Sequence, residues 1–268
     1  MAVDPGDGEP VPRGAGLAVL VVGTGAEPFP PGFPPPRVPG AAVVVVDSGT
    51  PGGPPGGVDG RGARVLRIRE DVGRGAAVNR AVAELPAEVG LVAVAPPGLV
   101  WSAGALPALC AAAARYPRAG VLAPAVRDDR GAAVSSAHPL PRPGRGVLAA
   151  LARRPWPPPA GPAADPPGEG PVGWSSAPGV LLRRAALDSV DGFDPRYPGR
   201  LDDLDLAARL HAAGWLTVHV PSATVGYPIG CTAPPRSDRA AARRYLSDRT
   251  ARPVGALLRV LPTDPRRP

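Results

Sequence analysis

Apolar residues fall along this chain in two kinds of pattern. Unbroken runs from Leu17 to Val22, Ala42 to Val46, Leu91 to Ala95 and Leu216 to Val220 predict strands buried on both faces, and shorter runs from Arg64 to Ile68, Gly120 to Leu122 and Gly179 to Leu182 predict three more. Between them, apolar positions recur at three-to-four spacing. That period predicts helices from Gly75 to Leu85, Gly104 to Tyr116, Arg184 to Val190, Asp202 to Ala213 and around Asp238 to Ser247. Alternating strands and helices imply an α/β domain: a mostly parallel sheet sandwiched by helices. Ligands of such sheets bind beyond the carboxyl ends of the strands, where Asp47, the turn from Ala95 to Gly98 and the pair Asp202-Asp203 all fall.

Composition changes this picture in one respect. The 41 prolines and 35 glycines among 268 residues are at a level that suggests low complexity, but the prolines crowd into 28–39 and 154–171, so that signal belongs to loops. The expected layout is a disordered segment over 1–15, one domain over 16–235 and a basic helical tail over 236–268. No stretch approaches the roughly 20 apolar residues of a membrane span. The opening MAVDPGDGEPVPRG has neither the basic start nor the apolar core of a secretory signal, which makes the cytoplasm the default.

Charge is uneven. All 30 basic residues are arginine, and the net charge is +7. Residues 236–268 hold nine Arg and three Asp, or +6 of that total. With Tyr245, Leu246, Val254, Leu257, Leu258 and Val260 interspersed, this tail suits an anionic membrane surface at about 1 kcal/mol per arginine, peripheral at the inner face of the cell membrane. A solvated helix face with a frayed end explains the same residues. Nucleic acid is not an expected partner, since no aromatic residues interleave with the arginines to stack bases.

Candidate chemistry is sparse. Cys110 and Cys231 share no metal-type spacing, and His138, His211 and His219 form neither a metal cluster nor a Ser-His-Asp set. GLAVLVVGTGAEP followed by Asp47, 22 residues after Gly25, approximates a dinucleotide-binding turn. Pro28 at the third glycine position, with prolines at 30, 31, 34, 35 and 36, forbids the helix that would hold a pyrophosphate. The match to a nicotinamide site is therefore poor. Asp202, Asp203 and Asp205 open the fourth helix, where the dipole favours negative charge; capping and general-base chemistry both suit them.

The stretch from Gly173 to Tyr227 resembles the acceptor-side half of inverting family 2 glycosyltransferases of the GT-A type. The matching elements are Trp174, the strand from Val180 to Leu182, Arg183-Arg184, Gly192-Phe193-Asp194, Asp202-Asp203, Asp205-Leu206, Arg209 and Gly214-Trp215. Upstream, VVVVDSGT is similar to that family's nucleotide-binding strand end, and DVGRGAAVNRAV to its NxGxxxAxN segment. The run from Trp101 to Arg130 is most similar to rhamnosyltransferases that build a polyprenyl-linked cell-wall linker.

The resemblance implies a GT-A-type, Rossmann-like fold, a nucleotide-sugar donor and a glycan or lipid-linked acceptor. It makes Asp203 the base, with Asp202 beside it, and leaves Asp205 to cap the helix or orient its neighbours. Asp47, Gly73, Gly75 and Asn79 fall on the donor side and Trp174 and Trp215 on the acceptor side, although core packing explains each tryptophan slightly better. The family's metal-binding aspartate is replaced by Gly98, and a second metal-associated position by Tyr227. Neither is a ligand for magnesium or manganese, so no metal residue is assigned. Arg74 and Arg80 are then the nearest cations for a leaving diphosphate. A catalytically inactive relative that binds or scaffolds is the competing expectation. The helix that the family places between its first two strands is absent from the pattern, because the prolines of 28–39 fall there.

Overall fold

The structure, a computed structural model, describes residues 16–140, 167–197, 200–227 and 238–249, apart from 32, 34, 35, 37, 55, 57 and 59–61. The segment 1–15, most of the proline-rich loop 154–171, Cys231 and the tail beyond 249 lie outside the described residues.

The first four predicted strands form β1 (Gly16–Thr24), β2 (Ala41–Ser48), β3 (Arg64–Ile68) and β4 (Val89–Ala95). They pair in parallel in the order β3-β2-β1-β4. Two longer strands, β6 (Ala119–Arg127) and β12 (Leu216–Gly226), pair in parallel with each other. Between the two groups lies β11 (Val180–Arg183), antiparallel to both β4 and β6. Apolar runs such as Leu17 to Val22 are buried throughout, as strands covered on both faces require.

Helices α1 (Arg74–Ala83), α2 (Ala105–Arg115), α3 (Arg184–Asp188), α4 (Arg200–Ala212) and α5 (Asp238–Arg249) fall where the periodicity placed them, within a few residues. Local chemistry fixes their ends. Gly73, at φ 79°, turns the chain into α1, and its N–H is held by the Asp71 carboxylate at 3.0 Å. At the far end of α4, Gly214 takes φ 86° and the Trp215 N–H closes back on the Leu210 carbonyl at 2.9 Å, a left-handed termination that only glycine adopts without strain. The paired arginines are structural. Arg183 donates to the Ala113 and Tyr116 carbonyls at the end of α2 and to the Ala119 carbonyl at the start of β6, and Arg184 donates to the Leu85 and Pro86 carbonyls.

Three features differ from the sequence pattern. β6 and β12 continue past Pro124 and Pro221, where a proline reads as a stop, because the two strands support each other and a register shift between Val220 and Thr224 accommodates Pro221. Short strands β5 (Val100–Trp101), β7 (Ala133–Val134), β8 (Ala137–His138), β9 (Gly170–Val172) and β10 (Trp174–Ser175) are too brief to carry a period. The central strand β11 runs against its neighbours, which an apolar run cannot signal. Among the described residues the stretch between β1 and β2 holds no helix; instead Phe29 lies on Gly23, where a Cβ would strike its ring, and packs against Phe33 at 5.3 Å between centroids.

A smaller apolar cluster lies beside the main core, formed by Trp174, Tyr197, Leu201, Leu204, Ala207, Tyr245 and Leu246. It fastens α5 onto α4. Arg249 bonds the buried Asp205, which also holds Arg209, and lies 4.1 Å from the Tyr245 ring centroid; the Tyr197 hydroxyl donates to Asp248 at 2.6 Å.

Because β11 bridges the sheet, its core residues govern stability. Leu181, fully buried opposite Ala93 and Leu122, is expected to cost about 2–5 kcal/mol as Leu181→Ala, read from urea midpoints. A loss below about 1 kcal/mol would show that β11 is not packed as described.

Candidate active site

Two helix starts meet at the carboxyl end of the sheet. Asp202 and Asp203 occupy the first turn of α4, and Arg74 is the first residue of α1. Arg74 donates from Nε to Asp202 Oδ2 at 3.2 Å, and from Nη2 to Asp202 Oδ1 at 2.7 Å and to Asp203 Oδ1. The bidentate half of this arrangement is buried, with the Asp202 side chain 1% exposed; Asp203 is 16% exposed and is the more accessible acid. Phe193 lies under the guanidinium, 5.7 Å from ring centroid to Cζ. Burial pushes the Asp202 carboxyl up to about 7, against the pull of Arg74, and the neighbouring Asp203 charge adds to the rise.

Glu27, in the turn after β1, belongs to the same group. It accepts a hydrogen bond from the Tyr227 hydroxyl, and its carboxyl is raised by burial against the opposing pull of Arg74 and Tyr227. Tyr227 ends the β12 segment, and its ring lies beside Gly98, whose missing Cβ would sit 3.7 Å from Cε2. The two metal-associated positions of the family pattern are therefore adjacent. Neither fits a metal: glycine offers no side chain, and the Tyr227 phenol already donates to Glu27, whereas hard cations take carboxylate oxygens. Among the described residues, no group of three or more His, Cys, Asp or Glu side chains is placed to hold an ion.

The loops after β1, β2 and β3 form the adjoining wall. Asp47, buried at the end of β2, accepts from the Thr50 N–H at 3.1 Å, from the Thr50 hydroxyl and from Arg67 Nε at 3.3 Å. Asp71 ties the Gly25 N–H to the Gly73 N–H, joining the first loop to the start of α1. Gly75 is required by packing, since a Cβ there would stand 2.8 Å from Phe193 Cβ. Asn79 is spent inside the protein: its amide donates to the Phe193 carbonyl at 2.7 Å and accepts from the Phe193 N–H at 2.9 Å. Arg80 is exposed in the last turn of α1, about 9 Å along the axis from Arg74.

The two tryptophans separate. Trp174 is buried in the cluster under α4 and stacks obliquely on His138 at 4.9 Å. Trp215 is at the opposite end of α4 from the acids and bonds Ser189 through Nε1 at 2.9 Å. The structure thus brings together Asp202, Asp203, Arg74, Glu27, Tyr227 and Gly98, and leaves Arg80 and Trp215 apart from them. Glu27 and Asp71 were not among the expected site residues; Glu27, a lone acid in a proline-rich turn, carries no spacing signal.

No protein-family model matches the chain. It is 41% identical over 176 residues to N-acetylglucosaminyl-diphospho-decaprenol L-rhamnosyltransferase of Mycobacterium tuberculosis, in two strains, with 60% of this chain and 57% of the relative covered. Solved structures with the same fold include GalNAc-T7 with UDP, GalNAc and Mn2+ (TM-score 0.54, 11% identity, 81% of this chain and 44% of that one) and S. aureus TarS (0.53, 12%, 87% and 39%). The chain has the GT-A fold of these solved structures. The mannosyltransferase PcManGT of Pyrobaculum calidifontis, solved with GDP-Man and Mn2+, is a further neighbour of this GT-A domain (0.50, 16%, 90% and 64%). The chain spans a little over half the length of the curated relatives that it matches.

Two outcomes follow from the geometry. Asn79→Ala leaves the Phe193 N–H and carbonyl without their partner and is expected to cost about 1–3 kcal/mol, measured by urea denaturation. Asp202 has a folded pKa above its ordinary 3.8, so the folded chain holds a proton that the unfolded chain releases, and this group's contribution to stability falls as pH rises from about 4 to about 7. Asp202→Asn should flatten that slope in denaturation midpoints taken across the same range; an unchanged slope would contradict it.

Proposed function

We propose that this chain transfers a sugar, rhamnose by analogy with its relatives, from a nucleoside-diphosphate donor to a polyprenyl-linked glycan, with inversion at the anomeric carbon. Asp203 is the general base. The observation that supports this is the asymmetry of the acid pair: Asp202 is buried on Arg74 while Asp203, in the same helical turn, keeps an accessible face. The acceptor oxygen attacks the anomeric carbon as its proton passes to Asp203. The bond from that carbon to the diphosphate oxygen breaks on the opposite face, and its electron pair leaves with the nucleoside diphosphate. The loops that carry Asp47 and Gly73, with Gly98, form the donor side. A lipid-linked acceptor places the reaction at the inner face of the membrane, and no helix among the described residues is long and apolar enough to cross one.

One observation favours a second reading, an inactive relative that binds without turnover: the residues at Gly98 and Tyr227 do not fit the metal of the family. Asp203→Asn decides between the two. On the first reading it lowers kcat by about 100-fold or more while nucleoside-diphosphate affinity stays within about twofold, and turnover of the unaltered protein persists in chelator. Donor binding with no turnover across donor and acceptor panels would establish the second.

A further inference from the structure

We infer that Arg74 is a positioning residue which holds the acid pair and aims Asp203, and that it does not neutralise the donor's diphosphate. The inference rests on the reading of Asp203 as the base. Two of the guanidinium's three nitrogens are committed, Nε and Nη2, in three bonds to Asp202 and Asp203. Asp202 is 1% exposed, and a carboxylate so far from water keeps its partner, because release would leave a charge buried alone. The guanidinium is also fixed from below. Phe193 sits under it, seated on Gly75 and clamped by both ends of the Asn79 amide. Local charge argues in the same direction: Asp202, Asp203 and Glu27 set three carboxyl groups against one guanidinium, so a diphosphate arriving here meets no excess of positive charge.

Arg74 thereby joins the first turn of α4 to the first turn of α1 across 128 residues of sequence. One Nη2 is shared by Asp202 Oδ1 and Asp203 Oδ1, so the buried bidentate pair sets where that nitrogen sits and hence which way the Asp203 carboxylate points. A lysine keeps the charge and loses the fork, which makes Arg74→Lys the informative conservative change.

The test compares Arg74→Lys, Arg74→Met and the double variant Arg74→Met/Asp202→Asn, which removes the buried acid's need for a partner and so guards against misfolding. With UDP as the probe in calorimetry, the double variant is expected to bind within about twofold of the unaltered protein; a loss of about tenfold or more would overturn the inference, since it would make the guanidinium a donor contact. In turnover, Arg74→Lys is expected to lower kcat about 30-fold with the donor KM within about twofold, and to move the acid limb of the pH–rate profile toward higher pH. A purely structural role would leave that limb where it was. If the unaltered protein proves to have no turnover, the base assignment fails by itself. The positioning role is then read from the carboxyl carbon resonance of Asp203: a titration midpoint that rises in Arg74→Met supports it, and an unmoved midpoint overturns it.

Discussion

A carboxylate taken almost wholly out of water must have a counter-charge, and the fold at this end of the sheet is organised around meeting that need for Asp202. The partner comes from another helix. Arg74 can reach it only if the starts of α1 and α4 are brought together, and several residues otherwise unrelated to chemistry serve that approach. Gly75 removes the Cβ that Phe193 would strike, Asn79 grips the backbone of Phe193 on both sides, and Gly192, at φ 69°, turns the chain tightly enough for the grip to close. The GFD element is in this sense a fastener between two helices, and the acids that follow it inherit their position.

A second buried acid fixes the other flank of α4. Asp205, one turn further along, is as hidden as Asp202 and is satisfied by Arg209 on its own helix and Arg249 on α5. One helix therefore carries two buried acids with separate cationic partners, and the more open Asp203 lies between them in sequence. Part of the arginine-rich C-terminal segment is thus accounted for by packing: Arg249 faces inward among Tyr197, Tyr245 and Asp205.

The sheet and its helices were legible because they rest on burial, which leaves a period in the sequence. Among the described residues, every long strand and all five helices stand where apolar spacing put them. What escaped is what a period cannot encode: the direction of β11, the two- and three-residue strands, and the continuation of β6 and β12 beyond prolines tolerated by their mutual pairing. The site divides in the same way. Spacing and resemblance located the acid pair, but the partnership of Arg74 with it depends on a contact between segments more than a hundred residues apart, and nothing in the sequence advertises that the Asn79 side chain is turned inward. Glu27 illustrates the limit, since it becomes part of the group through Arg74 and through Tyr227 at the far end of β12, both distant in sequence.

The antiparallel strand β11 has a consequence for synthesis. Among the described residues the block from β3 to β4 and the block of β6 with β12 share no ladder of their own; each is joined to the other through residues 180–183. During translation the outer edge of β4 thus stays open, its N–H and carbonyl groups unpaired, until some ninety further residues have emerged from the ribosome. For that interval the nascent chain carries a long apolar edge strand, a state in which a chaperone has something to cover.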